Sequence, residues 1–350
     1  MTVDEFKYIY YWEWGHRMMG RTIGLVFVLP WAYITYKGLT PQGYNNRLRL
    51  LLAMGGGQGL VGWWMVKSGL GEDRRGDTHE IRVTPYRLAA HLCMAFATYG
   101  TLVWTGLGIQ HIHNDRPVVP SPVVTKSATA SSTSSTLTKL IKSLNPASMQ
   151  RAILVRSGAM GVTSLAALTI VSGAFVAGND AGHAYNTFPQ MNDDGGYVPP
   201  WNELWDVNTF TGEAGREVYR NIFENTAMVQ FTHRVLGVGT ALTGLGISAF
   251  GLLFHLSPSS SSPSPSLSMK NRNVVTPSPS SLKWYNVHPS QSNTPQVRRG
   301  LLALGSLATC QASLGVATLV NCVPVGLAAM HQLGALAVVS SFIYFVFQTV

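Results

Sequence analysis

Charge is scarce in this sequence. Asp, Glu, Lys and Arg make up 12% of the 350 residues, against roughly 25% in soluble globular domains, and this deficit excludes an ordinary cytosolic enzyme. The period-two alternation of a membrane β-barrel is also lacking, so spanning segments must satisfy their backbone hydrogen bonds as helices. The charge-free runs approach or exceed the about 20 apolar residues that a helix needs to cross a bilayer. These runs are residues 22–36, 50–66, 88–110, 157–179, 235–256 and 300–350.

The last of these runs is long enough to cross the membrane twice. It is interrupted at residues 321–324, where a proline removes a backbone donor and favours a turn. The sequence therefore predicts an all-α polytopic membrane protein with about seven spans, of which the first two are short.

Cysteine and acidic residues are also scarce. The three cysteines, Cys93, Cys310 and Cys322, lie in or beside apolar runs without metal-ligand spacing, so we expect neither a disulfide framework nor a cysteine metal site. The 16 acidic residues leave a formal charge of +9, which in a membrane protein reflects topology and lipid contacts rather than nucleic acid. Alternating the spans places fourteen basic residues and one acid on one side of the membrane, and eleven and fifteen on the other. We expect the first side to face the cytoplasm or the mitochondrial matrix.

The composition also predicts how the chain is divided. Ser, Thr and Pro dominate residues 111–150 and 257–297, and since such segments cannot bury a core, both are expected to be disordered. The outward loop 179–226 is instead rich in aromatic and turn-forming residues, and we expect it to be ordered. The division is thus an N-terminal bundle of residues 1–110, a linker, and a C-terminal four-helix bundle of residues 151–350.

The two halves contain a weak internal repeat in the same order. In each half a His-Arg-x-x-Gly motif leads into a span, a glutamine stands four residues before a glycine in the next span, and a histidine follows in the third. The pairs are His16 and His233, Gln58 and Gln311, and His91 and His331. Only the second half has a further span, residues 157–179, before its His-Arg motif. We therefore expect a full repeat of four helices, of which the first half lacks its first, and residues 1–10 show no signal or transit peptide.

Four of the ten histidines share this duplicated context, and alternation places all four at the outward ends of their spans. They are His16, His91, His233 and His331. Two imidazoles facing each other across a bundle form the arrangement that ligates a haem iron axially, whereas zinc would recruit cysteines or carboxylates as well. The sequence predicts one haem site per half. Arg17 and Arg234 follow two of the histidines and are candidates to pair with haem propionates, or to reach the lipid headgroups.

A carboxylate distinguishes the two halves. Glu13 stands three residues before His16 and shares its helix face, whereas the matching residue of the second half is Gln230. An ionisable carboxylate close to the bilayer is a functional candidate, and Glu13 is a candidate for proton transfer at the first haem site. Its alternative role is an ion pair with Arg17 or Arg21.

The residues quoted above resemble a known family. The chain is similar to haem A synthases, the mitochondrial Cox15 and bacterial CtaA family, over EFKYIYYWEWGHRMMGR, SGAFVAGNDAGHAYNTFPQM, ENTAMVQFTHR and AAMHQLGAL. The resemblance covers nearly all of the chain except the two Ser/Pro-rich insertions. It implies an inner-membrane protein with eight transmembrane helices in two four-helix bundles, the first helix being absent here. It also implies an oxidoreductase that oxidises the C8 methyl group of haem o to the formyl group of haem a for cytochrome c oxidase.

The resemblance assigns roles to the candidate residues. His16 and His91 would form the substrate site with Glu13 as the neighbouring carboxylate, while His233 and His331 would ligate a haem b cofactor. The family further implies haem O synthase as a partner and an electron donor, for which a ferredoxin is a candidate. It implies the mitochondrial inner membrane, with the histidine sites toward the intermembrane space. The oligomeric state is left open, a homo-oligomer included.

Two other classes of function fit parts of the sequence. A di-haem cytochrome b-like electron carrier would use the same histidines, but such carriers usually hold their haems near opposite membrane faces, whereas these four residues share one depth. A transporter would need a polar site in the middle of the membrane, and the only mid-span candidates are Gln58 and Gln311. Identification of the bound haem would separate the enzyme from the carrier.

Overall fold

The computed structural model describes residues 2–41, 43–69, 83–114, 146–192, 195–206, 218–255 and 295–349. All regular secondary structure in these ranges is helical, which confirms an all-α polytopic membrane protein. The seven long helices are α1 (Val3–Tyr36), α2 (Tyr44–Lys67), α3 (Pro85–Asn114), α4 (Pro146–Gly178), α5 (Thr226–Phe250), α6 (Pro295–Val320) and α7 (Val325–Thr349).

The segments predicted to be disordered fall mostly outside the described residues. Residues 115–145 and 256–294 are not described, so the prediction for them is not tested. The ends of the two segments are helical: residues 111–114 belong to α3, 146–150 to α4 and 295–297 to α6. The predicted boundaries were therefore a few residues too wide.

Among the described helices, six are long and apolar enough to cross a membrane. The long helix that falls short is α2, because the glycines and Gln58 near its centre lower its mean hydropathy. The prediction that the first span is short was wrong, since α1 has 34 residues. It begins far upstream of its charge-free run because Thr2 and Glu5 form a capping box that satisfies the first free backbone amides.

The chain forms two compact units. The first comprises Met1–Pro117, Ala167–Leu236 and Gly315–Met330. In its core the Tyr86 ring stands edge-on to Phe175 with centroids 5.7 Å apart. The buried cluster contains Ala89, Ala174, Phe175, Ala181 and Val229. The start of α3 thus packs on the end of α4. The division of the chain predicted at residues 110 and 151 stays a prediction.

The loop between α4 and α5, which the sequence predicts to face outward, folds around two buried asparagines. Asn221 is fully buried, and its amide both accepts from the main-chain N–H of Asp206 at 3.0 Å and donates to the carbonyl of Asp206 at 3.1 Å. Asn225 accepts from the N–H of Ala227 at 2.9 Å and donates to the Glu203 carbonyl at 2.7 Å. These bonds tie the loop to the first turn of α5, the helix that carries His233.

The turn between α6 and α7 lies where the break in the last apolar run was predicted. Cys322 and Val323 adopt left-handed backbone conformations, with φ of 58° and 56°, which are sterically unfavourable for a β-branched residue. The outward loop supports this turn, because Asn186 donates to the Leu319 carbonyl at 3.0 Å. Gly182 faces the Val323 side chain so closely that an added Cβ would lie 2.9 Å from it.

The second unit comprises Val118–Ala166, Gly237–Leu314 and His331–Val350. Small residues bring its helices together: an added Cβ on Gly244 would lie 3.2 Å from Ala308, and Ser248 donates to the Leu301 carbonyl at 2.6 Å. This is the usual packing of transmembrane helices, in which small residues permit close approach. Its buried cluster contains Val155, Ala159, Val162, Ala166, Val297, Leu301, Leu304, Val338, Phe342 and Phe345.

Candidate functional site

His91 of α3 is contacted by two residues of α2. Gln58 Nε2 lies 3.3 Å from Nδ1 and 3.4 Å from Nε2 of the imidazole, and donates to the main-chain oxygen of His91 at 3.1 Å. Gly62, one turn further along α2, faces the same ring, and an added Cβ there would lie 3.0 Å from Cε1. Gln58 Oε1 is buried without a hydrogen-bond partner among the described residues. One face of α2 therefore both hydrogen-bonds and closely packs the histidine.

His16 of α1 is exposed, and its pairing with His91 stays a prediction. Glu13 forms an ion pair with Arg17 through Nη2 and also accepts from Nε at 3.2 Å. Arg21 instead donates to the sulfur of Met18 at 3.4 Å. Of the two predicted roles for Glu13, the ion pair with Arg17 is present.

His233 of α5 is contacted in the same manner by α4. Ser172 Oγ lies 2.8 Å from Nδ1 of the imidazole and donates to the Thr169 carbonyl at 2.8 Å. Gly173, the next residue, faces the ring, and an added Cβ would lie 3.0 Å from Cε1. As with His91, a polar side chain and a glycine of the neighbouring helix together define where the ring lies.

His331 of α7 belongs to the second unit and is contacted by Gln311 of α6. Gln311 Nε2 lies 3.1 Å from Nδ1 and donates to the main-chain oxygen of His331 at 2.8 Å. Gln311 Oε1 is buried without a hydrogen-bond partner within the described ranges, and it occupies the space that a side chain on Gly334 would need. The internal repeat therefore extends from the sequence to individual hydrogen bonds. The pairing of His331 with His233 stays a prediction.

Arg234 and Gln230, on either side of His233, both bind the outward loop. Arg234 donates from Nη2 to the Tyr185 carbonyl at 2.7 Å and from Nη1 to the Gln190 carbonyl at 3.2 Å. Gln230, which is 2% exposed, donates to the same Tyr185 carbonyl at 3.1 Å. Arg234 Nε is buried without an acceptor among the described residues. The sequence did not predict these loop contacts, and they leave one arginine donor available to an anion.

Tyr185 and Glu203 form a second polar contact in the loop. The phenol donates to Glu203 Oε2 at 2.5 Å, and burial together with this carboxylate raises the pKa of Tyr185 to about 12. The pair lines a cavity of about 440 Å³, which none of the four histidines reaches. The loop cavity is therefore separate from the histidine sites.

The donor set of the chain suits a haem better than a bare metal ion. In the ranges that the structure describes, no three His, Cys, Asp or Glu side chains come together as a metal site. Structural zinc needs four such donors, whereas a haem iron needs only two axial ligands from the protein. Oε1 of Gln58 and of Gln311, the two glutamines that contact imidazoles, and Nε of Arg234 are buried polar atoms without a partner among the described residues, and a haem with its propionates could satisfy such atoms. The residues present fit a haem.

Sequence reasoning missed the residues that contact the imidazoles from neighbouring helices. Ser172, Gly173 and Gly62 were not predicted, because a serine or glycine in an apolar span gives no signal of its own in a single sequence. Gln58 and Gln311 were noted only as members of the repeat. Their equal spacing before a glycine was the available signal, and it identifies the residues that contact His91 and His331.

The comparisons with known proteins agree with the resemblance. The COX15-CtaA family model, described as cytochrome oxidase assembly protein, matches residues 1–263 and 280–343. A haem A synthase-mitochondrial ferredoxin fusion protein of Schizosaccharomyces pombe is 36% identical over 97% of this chain and 47% of its own length. Haem A synthase COX15 of Arabidopsis thaliana is 34% identical over 97% of this chain and 58% of its own length. Haem A synthase of Maricaulis maris is 32% identical over 96% and 72% respectively.

The chain spans about half of the length of the first two of these relatives. No solved structure matches it significantly. The family model nevertheless covers both halves of the chain and all four histidine positions. The duplicated imidazole contacts thus lie in a chain that belongs to the COX15-CtaA family of cytochrome oxidase assembly proteins.

Proposed function

We propose that this chain is a haem A synthase, an oxidoreductase that converts the C8 methyl group of haem o to the formyl group of haem a for cytochrome c oxidase. The observation that carries the proposal is a duplicated contact between neighbouring helices: Gln58 hydrogen-bonds to His91 in the first half, and Gln311 hydrogen-bonds to His331 at the matching position of the second half. The family match over both halves supports the same activity. A bound haem supplies the redox chemistry that side chains lack.

In the second half, His233 and His331 would ligate a haem b cofactor. Each imidazole has a polar neighbour at Nδ1. The Ser172 hydroxyl can accept from Nδ1 of His233, which is how protein haem ligands are usually oriented. The Gln311 amide nitrogen can only donate, and it holds His331 through the main-chain oxygen of that residue. Nη1 and Nη2 of Arg234 donate to loop carbonyls. Its buried Nε is the nitrogen that could donate to a propionate. The second half would then bind a haem cofactor and would not bind the substrate.

In the first half, His16 and His91 would bind the substrate haem o, and Glu13 would take up or relay the protons released as the methyl group is oxidised. Glu13 lies one turn before His16, so its carboxylate can reach the same face of α1. Arg17 would orient that carboxylate through the ion pair. A general base placed in this way contributes typically 10²–10⁴-fold to a rate.

The partners and the location follow from the relatives. The fusion of a haem A synthase with a mitochondrial ferredoxin in Schizosaccharomyces pombe supports a ferredoxin as the electron donor. Haem O synthase would supply haem o. The inner mitochondrial membrane, with the histidine sites on the intermembrane-space side, fits both the charge distribution and the mitochondrial relatives.

The test is complementation of cells that lack haem A synthase, followed by chromatography of the extracted haems. The full chain should restore haem a, and Glu13→Gln should abolish it while haem remains bound. Asp4→Asn is the matched control, because Asp4 is an exposed carboxylate on the same helix that pairs only weakly with Lys7 at 3.6 Å; it should retain normal haem a.

Three results would each contradict a part of the proposal. Normal haem a in Glu13→Gln would remove the proton-transfer role. A purified chain that holds haem b alone and never forms haem a would instead identify the di-haem electron carrier. His233→Ala and His331→Ala should each reduce the haem b that is retained after purification, and unchanged haem content would remove that assignment.

A further inference from the structure

We infer that Ser172 is a positioning residue for the haem ligand His233, because it fixes the tautomer in which Nε2 carries the lone pair that binds iron. The inference rests on the proposed haem site of the second half and goes beyond it by adding a residue of another helix. Ser172 lies on α4 and His233 on α5, and the two are joined at 2.8 Å through Oγ and Nδ1.

The direction of this hydrogen bond depends on where the single hydrogen of the Ser172 hydroxyl lies. A serine hydroxyl has one hydrogen and accepts through its lone pairs, whereas a main-chain carbonyl can only accept. Ser172 Oγ lies 2.8 Å from the carbonyl oxygen of Thr169 and 2.8 Å from His233 Nδ1. If its hydrogen goes to the carbonyl, Ser172 must accept from the imidazole, so Nδ1 carries the proton and Nε2 does not.

Burial and packing hold the two groups in this arrangement. Ser172 is 9% exposed, so water competes little for either bond. Gly173 places the backbone of α4 directly against the ring, since an added Cβ would lie 3.0 Å from Cε1. A neighbouring acceptor for the N–H of a ligating histidine fixes the tautomer and orientation of the ring and raises its basicity. Losing such a partner typically costs 10–100-fold in metal affinity. Loss of the Ser172 hydroxyl is therefore expected to weaken haem binding at His233 by a similar factor.

The experiment loads the purified full chain with iron protoporphyrin IX in a His91→Ala background, so that only the haem at the second-half site is counted. Ser172→Ala should lower haem affinity about 10–100-fold. It should also raise the midpoint potential of the bound haem, because a less basic imidazole stabilises ferric iron less. Ser172→Thr retains the hydroxyl and should restore both values. Ser164→Ala is the matched control on the same helix, because Ser164 donates to the Met160 carbonyl in an exposed position.

Each outcome decides either the inference or the proposed function on which it rests. If the starting protein binds no haem, or binds it equally well after His233→Ala, the proposed haem site fails. If haem is bound through His233 and Ser172→Ala leaves affinity and potential unchanged, or tightens binding, the positioning role is wrong. Should Ser172→Ala fail to fold, Ser172→Cys keeps the volume with a weaker acceptor; its potential should rise, and a potential equal to that of the starting protein would overturn the inference.

Discussion

Replacing Asn225 by alanine should destabilise the protein, although this residue touches no proposed haem ligand. Its Oδ1 accepts from the N–H groups of Ala227 and Met228, at 2.9 Å and 3.3 Å, and so caps the first turn of α5. Its Nδ2 donates to the Glu203 carbonyl at 2.7 Å and to Asn221 Oδ1 at 3.0 Å. One side chain therefore accepts from free backbone amides at the start of α5 and donates to acceptors in the loop before it.

The expected cost follows from these bonds. Loss of a helix cap costs about 1 kcal/mol, and each buried acceptor left without its donor costs about 1–3 kcal/mol. With partial relaxation of the loop, the Asn225→Ala variant should lose about 2–4 kcal/mol of unfolding free energy. Asn225→Asp keeps the cap acceptor but loses the donor, so it separates the two contributions.

Equilibrium unfolding in detergent, followed by helical ellipticity, measures this loss. Asn321→Ala is the control, because Asn321 also donates its amide to a main-chain carbonyl, that of Ala317 at 2.7 Å, but does so in an exposed turn. It should cost less than about 0.5 kcal/mol, as surface changes usually do. Equal unfolding free energies for the Asn225 and Asn321 variants would refute the view that the loop is fixed through Asn225.

Three further outcomes are expected. Gln230→Glu should cost about 1–3 kcal/mol of stability, measured in the same unfolding assay, because a carboxylate cannot donate to the buried carbonyl of Tyr185; a variant as stable as the starting protein would contradict this. The Tyr185 phenol should ionise near pH 12 when it is titrated by absorbance. Because its pKa is raised in the folded state, the neutral phenol should stabilise the protein fully below pH 10, and this contribution should be lost between pH 10 and 12. Glu203→Gln should lower the pH at which the phenol ionises. Gly62→Ala should weaken haem binding in the first half by displacing the neighbouring imidazole despite its higher helix propensity, whereas Gly59→Ala, where an added Cβ meets no described atom within 4 Å, should leave binding unchanged.

Much of the fold could be predicted because apolar runs and charges report directly on transmembrane helices. All seven long helices fall on the predicted runs, and the turn at residues 321–324 was expected from its proline. The helix ends were less predictable. α1 starts at Val3 because a capping box outweighs the polarity of its first turn, and the sequence pattern of hydropathy carries no information about that contact.

The candidate site divides in the same way. The repeated motif predicted that His16 and His91 meet, and this pairing stays a prediction. The two glutamines that the repeat aligns, Gln58 and Gln311, do contact His91 and His331. Ser172 and the two ring-facing glycines could not be found, since their roles depend on which helix packs beside each imidazole. A single sequence does not specify the neighbours of a helix; only the packed structure does.

The two halves differ most where the repeat aligns Glu13 with Gln230. Gln230 is buried and must donate to a carbonyl, so a neutral amide is the only one of the two residue types that the position accepts without loss. Glu13 is 45% exposed in its side chain and is paired with Arg17, so that position tolerates a charge. The duplication therefore places a neutral amide one turn before His233 and an ionisable carboxylate one turn before His16. In the proposed reaction, a haem that is only bound needs no proton acceptor beside its ligand, whereas a substrate that loses protons needs one.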